Sequence, residues 1–218
     1  SIERSELARL TQIDYAREMA FVATAPGQDG VEQTLGVQLV NRSTRKVSLS
    51  EAGREFYPLV ARLLQDLDGA LDMIRRVGAL TGTTAGAERI VAGIERGFAG
   101  LRPSTEGYSV AYLIWRDPWM VAGPGTFIND MLKRCGHANA FAHRTERYPE
   151  ITSAELAAAD PDLIFLSSEP YPFKEKHIAE LNLILPGAPV RLVDGELFSW
   201  YGSRLLRSPM YFSGLTKG

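Results

Sequence analysis

A continuous apolar run from Val110 to Trp115, dense in β-branched and aromatic residues, constrains the fold of this chain most strongly. The run is too short for an independent helix and is typical of a strand buried on both faces. Arg116-Asp117-Pro118 ends it, and after a Gly-Pro-Gly turn a helical pattern runs from Thr126 to Leu132. A strand, a loop and a helix in this order open an α/β unit.

Two more units of this kind follow, so the sequence predicts an α/β fold with a parallel, Rossmann-like sheet and flanking helices. Its strands are expected at 109–115, 163–167 and 190–193. Upstream, apolar residues spaced by three and four predict a long amphipathic helix over 51–77 and a second helix over 84–101. A small α+β segment is expected before them. The predicted division is 1–50, 51–101 and 102–218.

Composition excludes several classes of function. The net charge of −2 gives no global attraction to nucleic acid, and a single cysteine excludes an internal disulfide. Apolar runs stay far below the roughly 18 residues that a membrane span needs. The charged start, Ser1-Ile2-Glu3-Arg4, has no signal-peptide pattern, so the expected location is cytoplasmic.

Catalytic and metal-binding patterns are weak. The histidines at 137, 143 and 177 share no metal-ligand spacing, and no Gly-x-Ser-x-Gly motif frames Ser167 and Ser168. A better interpretation of the two serines is a loop that caps the following helix. We therefore predict no catalytic residue, no metal site and no cofactor, and a protein that is not an enzyme.

Aromatic and charged residues follow the predicted strands and should converge on one edge of the sheet, where open parallel sheets bind ligands. The candidate ligand-binding residues are Trp115, Arg116, Trp119, Glu169, Tyr171, Phe173, Trp200 and Tyr201. Aromatic walls with few polar groups suit a flat, hydrophobic ligand such as a tetrapyrrole. The alternative is that these rings close the end of the sheet as part of the core.

From about residue 80 to 215 the chain resembles the C-terminal lobe of ABC-importer substrate-binding proteins for cobalamin, haem and siderophores. The matching segments are Tyr112–Arg116, Pro118–Met120, Thr126–Ile128, Asp160–Leu163, Ser167–Lys174, Asp194–Glu196 and Ser199–Gly202. This resemblance implies non-catalytic binding of a corrinoid, haem or metal chelate. The family's N-terminal lobe and export signal have no counterpart here, so we expect binding to be weak.

Residues 31–78 resemble the wing and linker helix of LysR-type regulators. The resemblance is carried by Leu35-Gly36, Asn41-Arg42, Arg45, Leu49 and Ala52-Gly53. It implies DNA contacts by the wing residues Arg42, Arg45 and Lys46, and a homodimer through helix 51–77. The first helices of a helix-turn-helix have no counterpart, so specific DNA binding is not expected. Alternatively, the basic residues form a solvated turn and the helix packs on its own chain.

Residues 1–36 resemble a helix–strand fragment of GNAT acetyltransferases, through Glu6–Tyr15 and Arg17–Ala23. The loop that holds acyl-CoA phosphates in that family is absent, which argues against acetyl-CoA-dependent N-acetyltransferase activity. Three resemblances in series predict a composite, chimera-like chain. Its expected function is weak binding of a small molecule by the C-terminal lobe, with no membrane partner. DNA-binding regulator and acetyltransferase remain the alternatives.

Overall fold

The computed structural model describes residues 40–43, 46–51, 54 and 65–215. The chain forms two compact units, Ser1–Leu63 with Leu80–Gly82, and Leu64–Ala79 with Thr83–Gly218. In the first unit, strands β1 (Val40–Ser43) and β2 (Lys46–Leu49) form an antiparallel hairpin with Val40 opposite Leu49. The acetyltransferase-like residues 1–36 lie outside the described residues.

The second unit is built on a six-stranded sheet whose central strand is β3 (Ser109–Trp115). The other strands are β4 (Trp119–Val121), β5 (Ala138–Asn139), β6 (Glu150–Ile151), β7 (Leu163–Ser167) and β8 (Val190–Val193). The order is β6-β4-β3-β7-β8, with β5 also paired to β3. The α/β prediction and the three predicted strands are confirmed.

Side chains of β3 alternate between two buried layers. Val110, Tyr112 and Ile114 face one core cluster, whereas Ala111 and Leu113 face the other. Residues 110–113 have no exposed surface, which explains why this strand is a continuous apolar run rather than an alternating one.

Helices cover both faces of the sheet. In chain order they are α1 (Leu67–Leu80), α2 (Thr84–Ala99), α3 (Phe127–Arg134), α4 (Ser153–Ala159), α5 (Glu175–Ile184), α6 (Gly195–Ser199), a 3₁₀ helix (Gly202–Leu206) and α7 (Ser208–Leu215). Buried residues of α1, α2 and α3 belong to the core cluster of Tyr112. Leu156 of α4 and Leu181 of α5 belong to the cluster on the other face. Within the described ranges, no helix is long and apolar enough to traverse a bilayer.

The predicted continuous helix over 51–77 is wrong in its described part. Glu51 and Arg54 are helical, but the chain bends at residues 65–66 before α1 begins at Leu67. The Asp66 carboxylate accepts a hydrogen bond from the Gly69 amide at 2.9 Å, which stabilises a new helix start. The helix also continues three residues past the predicted end, to Leu80.

Leucine and isoleucine side chains at the start of α1 are buried in this chain's own core. Leu67, Leu71 and Ile74 are 3%, 5% and 8% exposed and pack in the core cluster of Tyr112. This part of the stripe is therefore unavailable as a dimer interface, in agreement with the alternative interpretation. The upstream part, 55–64, lies outside the described residues.

Two glycines of α2 allow other helices to approach it closely. A Cβ at Gly93 would lie 2.6 Å from Cδ2 of Leu206, and one at Gly97 would lie 3.0 Å from Cγ of Pro209. These two glycines therefore allow the 3₁₀ helix and α7 to pack against α2. Helix α2 ends at Ala99, two residues before the predicted end.

The short strands β4 and β6 were not predicted. After a turn at 116–118, with Asp117 in the left-handed region (φ 59°), the chain reverses and β4 pairs antiparallel with β3. The sheet is thus parallel apart from β4. Strands of two or three residues carry too little periodicity for recognition from sequence. Helix α4 follows Thr152, which forms a capping box with Glu155.

A glycine between α3 and β5 supplies the first stability prediction. Gly136 has φ of +81°, and a Cβ there would lie 2.5 Å from the Ser104 backbone oxygen. We expect Gly136→Ala to lower the free energy of unfolding by about 2–4 kcal/mol, through left-handed strain and a backbone clash. Urea unfolding measures this change.

The matched control is Gly107→Ala. Gly107 has φ of +65°, but a Cβ there would meet nothing within 4 Å. Only the conformational strain remains, so the expected loss is about 1 kcal/mol. Equal losses for the two variants would show that the contact with Ser104 does not constrain this turn.

Candidate functional site

The predicted site lies at the carboxyl ends of β3 and β7. The chain leaves β3 toward β4 and β5 on one side and later returns to place β7 on the other. Such a switch point leaves a crevice outside the strand ends, where open α/β sheets bind ligands. The Tyr171 amide donates to the Ile114 carbonyl at 3.3 Å, which joins the loop after β7 to the end of β3.

Four predicted residues pack together and form the Trp115 cluster: Trp115, Trp119, Tyr171 and Phe173. Trp115 meets Tyr171 edge-on at 5.7 Å, and Tyr171 meets Phe173 at 4.7 Å between ring centroids. Trp119 stacks on Phe173 with an interplanar angle of 4°. Phe173 is only 6% exposed, so it supports the other rings instead of facing solvent. The three remaining rings are half-buried.

Arg116 is held beside this cluster by an ion pair with Glu180 of α5. Its Nε and Nη2 each donate to one carboxylate oxygen at 2.8 Å. The Arg116 guanidinium also contacts Asp117 and lies 5.6 Å from the Trp119 ring centroid. The hydrogen bonds between the two side chains lower the pKa of Glu180 and raise the pKa of Arg116. Sequence offered no signal for this pair, because 64 residues separate its members.

His177 fixes the loop that carries Tyr171. The ring Nδ1 accepts the Lys174 amide at 2.9 Å, so in the neutral form Nε2–H donates to the Tyr171 hydroxyl at 3.2 Å. Burial, with smaller effects of Lys176 and Arg116, lowers the pKa of His177. The prediction that this histidine is not a metal ligand agrees with its capping role. In the sequence, the one indication of this capping role is that His177 follows the N-cap residue Lys174 by three positions.

Glu169 and Trp200 form the Glu169 cluster, the second group of predicted residues. The Glu169 Oε1 atom accepts hydrogen bonds from Trp200 Nε1 and from the Ser199 hydroxyl. Arg204 lies over the Trp200 ring at 5.4 Å and pairs with Glu196. The loop from β7 to α5 joins the two clusters, because it carries both Glu169 and Tyr171.

Tyr201 has a different neighbour. Its ring meets Phe127 of α3 edge-on at 4.9 Å and packs against the core cluster of Tyr112. Six of the eight predicted residues therefore belong to the two clusters. Arg116 lies beside the Trp115 cluster, and Tyr201 packs against α3. Their role as ligand contacts stays a prediction.

The two serines after β7 hold the loop in place. Ser167 accepts the Tyr112 hydroxyl at 3.2 Å and donates to the Glu169 carbonyl, while Ser168 accepts the Gly195 amide at 2.9 Å. Burial raises the pKa of Tyr112. The prediction that these serines cap the following helix is wrong, because Lys174 is the N-cap of α5 and Ser168 binds the first residue of α6.

The structure shows no metal centre in its described residues, where no three His, Cys, Asp or Glu side chains are grouped to hold an ion. Cys135 is buried, and burial raises the pKa of its thiol to about 12. Of the predicted DNA contacts, Arg42 lies in β1 and Lys46 in β2, while Arg45 lies outside the described residues.

Comparison with known proteins identifies the family. A model of the periplasmic binding protein family matches residues 34–181, more than half of the chain, so the chain belongs to that family. Its members are solute-binding proteins that catalyse no reaction, in agreement with the expectation that this chain is not an enzyme. The match begins well before residue 80, where this resemblance was expected to start.

Solved structures share the fold. The periplasmic haem-binding protein HutB of Vibrio cholerae superimposes with a TM-score of 0.58 and 16% identity, over 69% of this chain and 63% of that one. An ABC-type Fe³⁺-hydroxamate transport system protein from Saccharomonospora viridis gives a TM-score of 0.53 and 19% identity, over 69% and 56%. The chain thus spans less than two thirds of either protein.

One curated relative matches a shorter segment. The HTH-type transcriptional regulator PtxR of Pseudomonas aeruginosa is 39% identical over 62 residues, which is 28% of this chain and 19% of the regulator. This chain therefore spans about a fifth of that protein.

The Arg116–Glu180 pair generates a prediction about stability. We expect Glu180→Gln to cost about 0.5–1 kcal/mol, because the pair is partly exposed and one charged acceptor is lost. The lowered pKa of Glu180 means that this contribution is complete above about pH 4.3 and is lost as pH falls through the folded-state pKa. Urea unfolding at neutral and acidic pH measures both effects.

The control for that variant is Glu106→Gln, which neutralises an exposed carboxylate in the connector before β3. It should leave the unfolding free energy almost unchanged. If Glu180→Gln is as stable as this control at neutral pH, the ion pair does not contribute to stability.

Lowered histidine pKa values predict acid sensitivity. The pKa values of both His137 and His177 are lowered, so the unfolded chain, with histidines near pH 6.5, takes up protons before the folded one. Stability should be complete above about pH 6.5 and decline as pH falls toward the folded-state values. We expect His177→Gln to flatten this decline, measured by urea unfolding at a series of pH values.

His143→Gln serves as the comparison, since His143 is exposed. If His177→Gln and His143→Gln retain the same decline as the unmodified chain, protonation of His177 does not loosen the loop.

Proposed function

We propose that this chain binds a metal chelate, such as haem or a ferric hydroxamate, at the carboxyl ends of β3 and β7, without catalysis. One observation supports the proposal most: half-buried aromatic rings lie beside the Arg116 guanidinium and the Glu169 carboxylate at the switch point of the sheet. Apolar walls with few polar groups are typical of small-molecule sites.

Ligand identity is supported by the proteins that share the fold. One is described as haem-binding and another as part of an Fe³⁺-hydroxamate transport system. Haem is a flat, apolar ring with carboxylates at its edge, whereas a ferric hydroxamate is a rounded octahedral complex, so an aromatic wall favours haem. The Trp115 cluster offers the aromatic surface, and the Arg116 guanidinium, which is paired with Glu180 and Asp117, lies at its border. A corrinoid is the third chelate in the predicted class.

The described lobe supplies one wall of the proposed site, and we expect that wall to bind weakly by itself. A single wall covers about half of the ligand surface that a two-walled cleft encloses, and the apolar contribution scales with buried area. Because each 1.4 kcal/mol is about tenfold in affinity, losing half of that contribution weakens binding by orders of magnitude. We expect dissociation constants in the micromolar range or above.

Tryptophan fluorescence tests the proposal directly, because all three tryptophans of the chain, Trp115, Trp119 and Trp200, belong to the predicted site. Haem, a ferric hydroxamate and cobalamin are titrated separately into the protein. Saturable quenching by at least one chelate is expected. In a Trp115→Ala, Trp200→Ala variant, binding measured by the absorbance of the chelate should weaken at least about tenfold.

The matched control is Tyr108→Ala, which removes an aromatic ring at the opposite end of β3. It should bind the chelate as the unmodified protein does. Equal binding by all three proteins, or no saturation with any chelate, would leave the aromatic clusters as packing.

A second hypothesis concerns the segment before residue 80. The β1–β2 hairpin supports an origin of this segment in a LysR-type protein, as the composite interpretation proposes. The family match from residue 34 weighs against a joint at residue 80. The composite origin and the location of the chain in the cell stay predictions.

Titration with DNA tests whether the segment before residue 80 acts as a DNA-binding regulator. Phosphate contacts from Arg42, Arg45 and Lys46 alone would give weak binding that falls steeply with salt and shows no preference between sequences. We expect this result or no binding, measured by fluorescence anisotropy of labelled duplexes. Sequence-selective binding that persists at physiological salt would establish a complete DNA-reading surface and make the regulator hypothesis correct.

A further inference from the structure

A cavity lies at the amino ends of the strands, away from the candidate site. Tyr108 precedes β3, Asp162 precedes β7 and Pro189 precedes β8, and these residues line a space of about 210 Å³ together with His137 and Arg191. Trp115 is seven residues along β3 from Tyr108, so this amino-end cavity is roughly 20 Å from the candidate site. The two are separate places on the molecule.

His137 is the central polar group of the amino-end cavity. The residue is only 5% exposed, and neither ring nitrogen has a hydrogen-bond partner within the part of the chain that the structure describes. Its ring stacks on Tyr108 at 6.0 Å and meets the edge of Phe165 at 6.3 Å. A buried polar group of this kind is costly unless a hydrogen bond satisfies it, so it points to an occupant of the cavity.

Opposite charges lie on the wall around this histidine. Asp162 is positioned by accepting the Ser109 amide at 2.7 Å, and Arg191 Nη1 donates to the Leu215 carbonyl at 3.3 Å. Burial and the charge of Arg191 lower the pKa of His137, so its neutral ring offers one donor and one acceptor. A simple anion would be repelled by Asp162, and a simple cation would be repelled by Arg191. A molecule with both charges satisfies the two.

We propose that the amino-end cavity binds a small zwitterion of amino-acid type. Its carboxylate pairs with Arg191, its ammonium group with Asp162, and its polar atoms complete the hydrogen bonds of His137. The apolar side chain lies against Leu163 and Pro189. The size is adequate, because a cavity of about 150 Å³ already accommodates benzene.

The test uses three probes of nearly equal shape. L-Valine carries both charges, isovalerate lacks the ammonium group, and isobutylamine lacks the carboxylate. Each is titrated into the full chain labelled at histidine Cε1, and the signal of His137 is assigned by its loss in His137→Gln. With three histidines in the chain, His143 and His177 act as internal references. Valine should shift the His137 signal saturably and leave the references in place.

Two comparisons decide the outcome. Isovalerate and isobutylamine should bind at least about tenfold more weakly than valine, as expected for the loss of a charged contact. Asp162→Asn retains an acceptor for the Ser109 amide and should weaken valine about tenfold, whereas the exposed Asp160→Asn should not.

No saturable shift with valine up to about 50 mM would overturn the proposal, since ligands of this size bind in the millimolar range or better when a site fits them. Equal binding of valine and isovalerate would overturn it as well, because the cavity would then be an anion site. Both probe comparisons use the unmodified chain, so they decide the proposal even if Asp162→Asn fails to fold.

Discussion

Burial of β3 on all sides is the constraint on which the rest of the described lobe depends. The strand is hydrogen-bonded to β4 and β5 along one edge and to β7 along the other, and helices cover both its faces. Its backbone groups are therefore satisfied without water, and residues 110–113 lose all exposed surface. The Tyr112 hydroxyl also donates to Ser167, the last residue of β7, and so joins the core to the strand end from which the loop of Glu169 and Tyr171 begins.

The candidate site follows from this arrangement. Because β3 and β7 end beside each other, the segments that leave them must share one edge of the sheet. Pairing within the chain then orders the side chains: Arg116 with Glu180, Glu169 with Trp200, and Tyr171 with His177. Side chains held in this way have little conformational freedom left to lose, so the proposed site is preorganised.

Sequence patterns predicted the fold where burial is two-sided and the element is long. The bounds of β3, β7 and β8 are as predicted, because apolar runs end abruptly at polar or proline-containing turns. The patterns did not predict β4, which places Trp119 in a strand instead of a loop, or the break at residues 65–66, where Asp66 outweighs a continuous leucine stripe. Convergence of Trp115, Trp119 and Tyr171 was predictable from strand ends. The burial of Phe173 and the partner of Arg116 depend on contacts between distant segments, which one sequence does not reveal.

Hydrogen exchange with and without haem tests the central claim most directly, namely that the carboxyl edge of β3 and β7 is the binding wall. We expect haem to slow exchange in segments 115–119, 168–173 and 198–201 and to leave segments 106–109 and 187–190, at the opposite edge, unchanged. Amides within β3 should be the slowest in either state, since the strand is paired on both sides. Haem binding with protection confined to other segments, or fast exchange within β3 itself, would contradict the account.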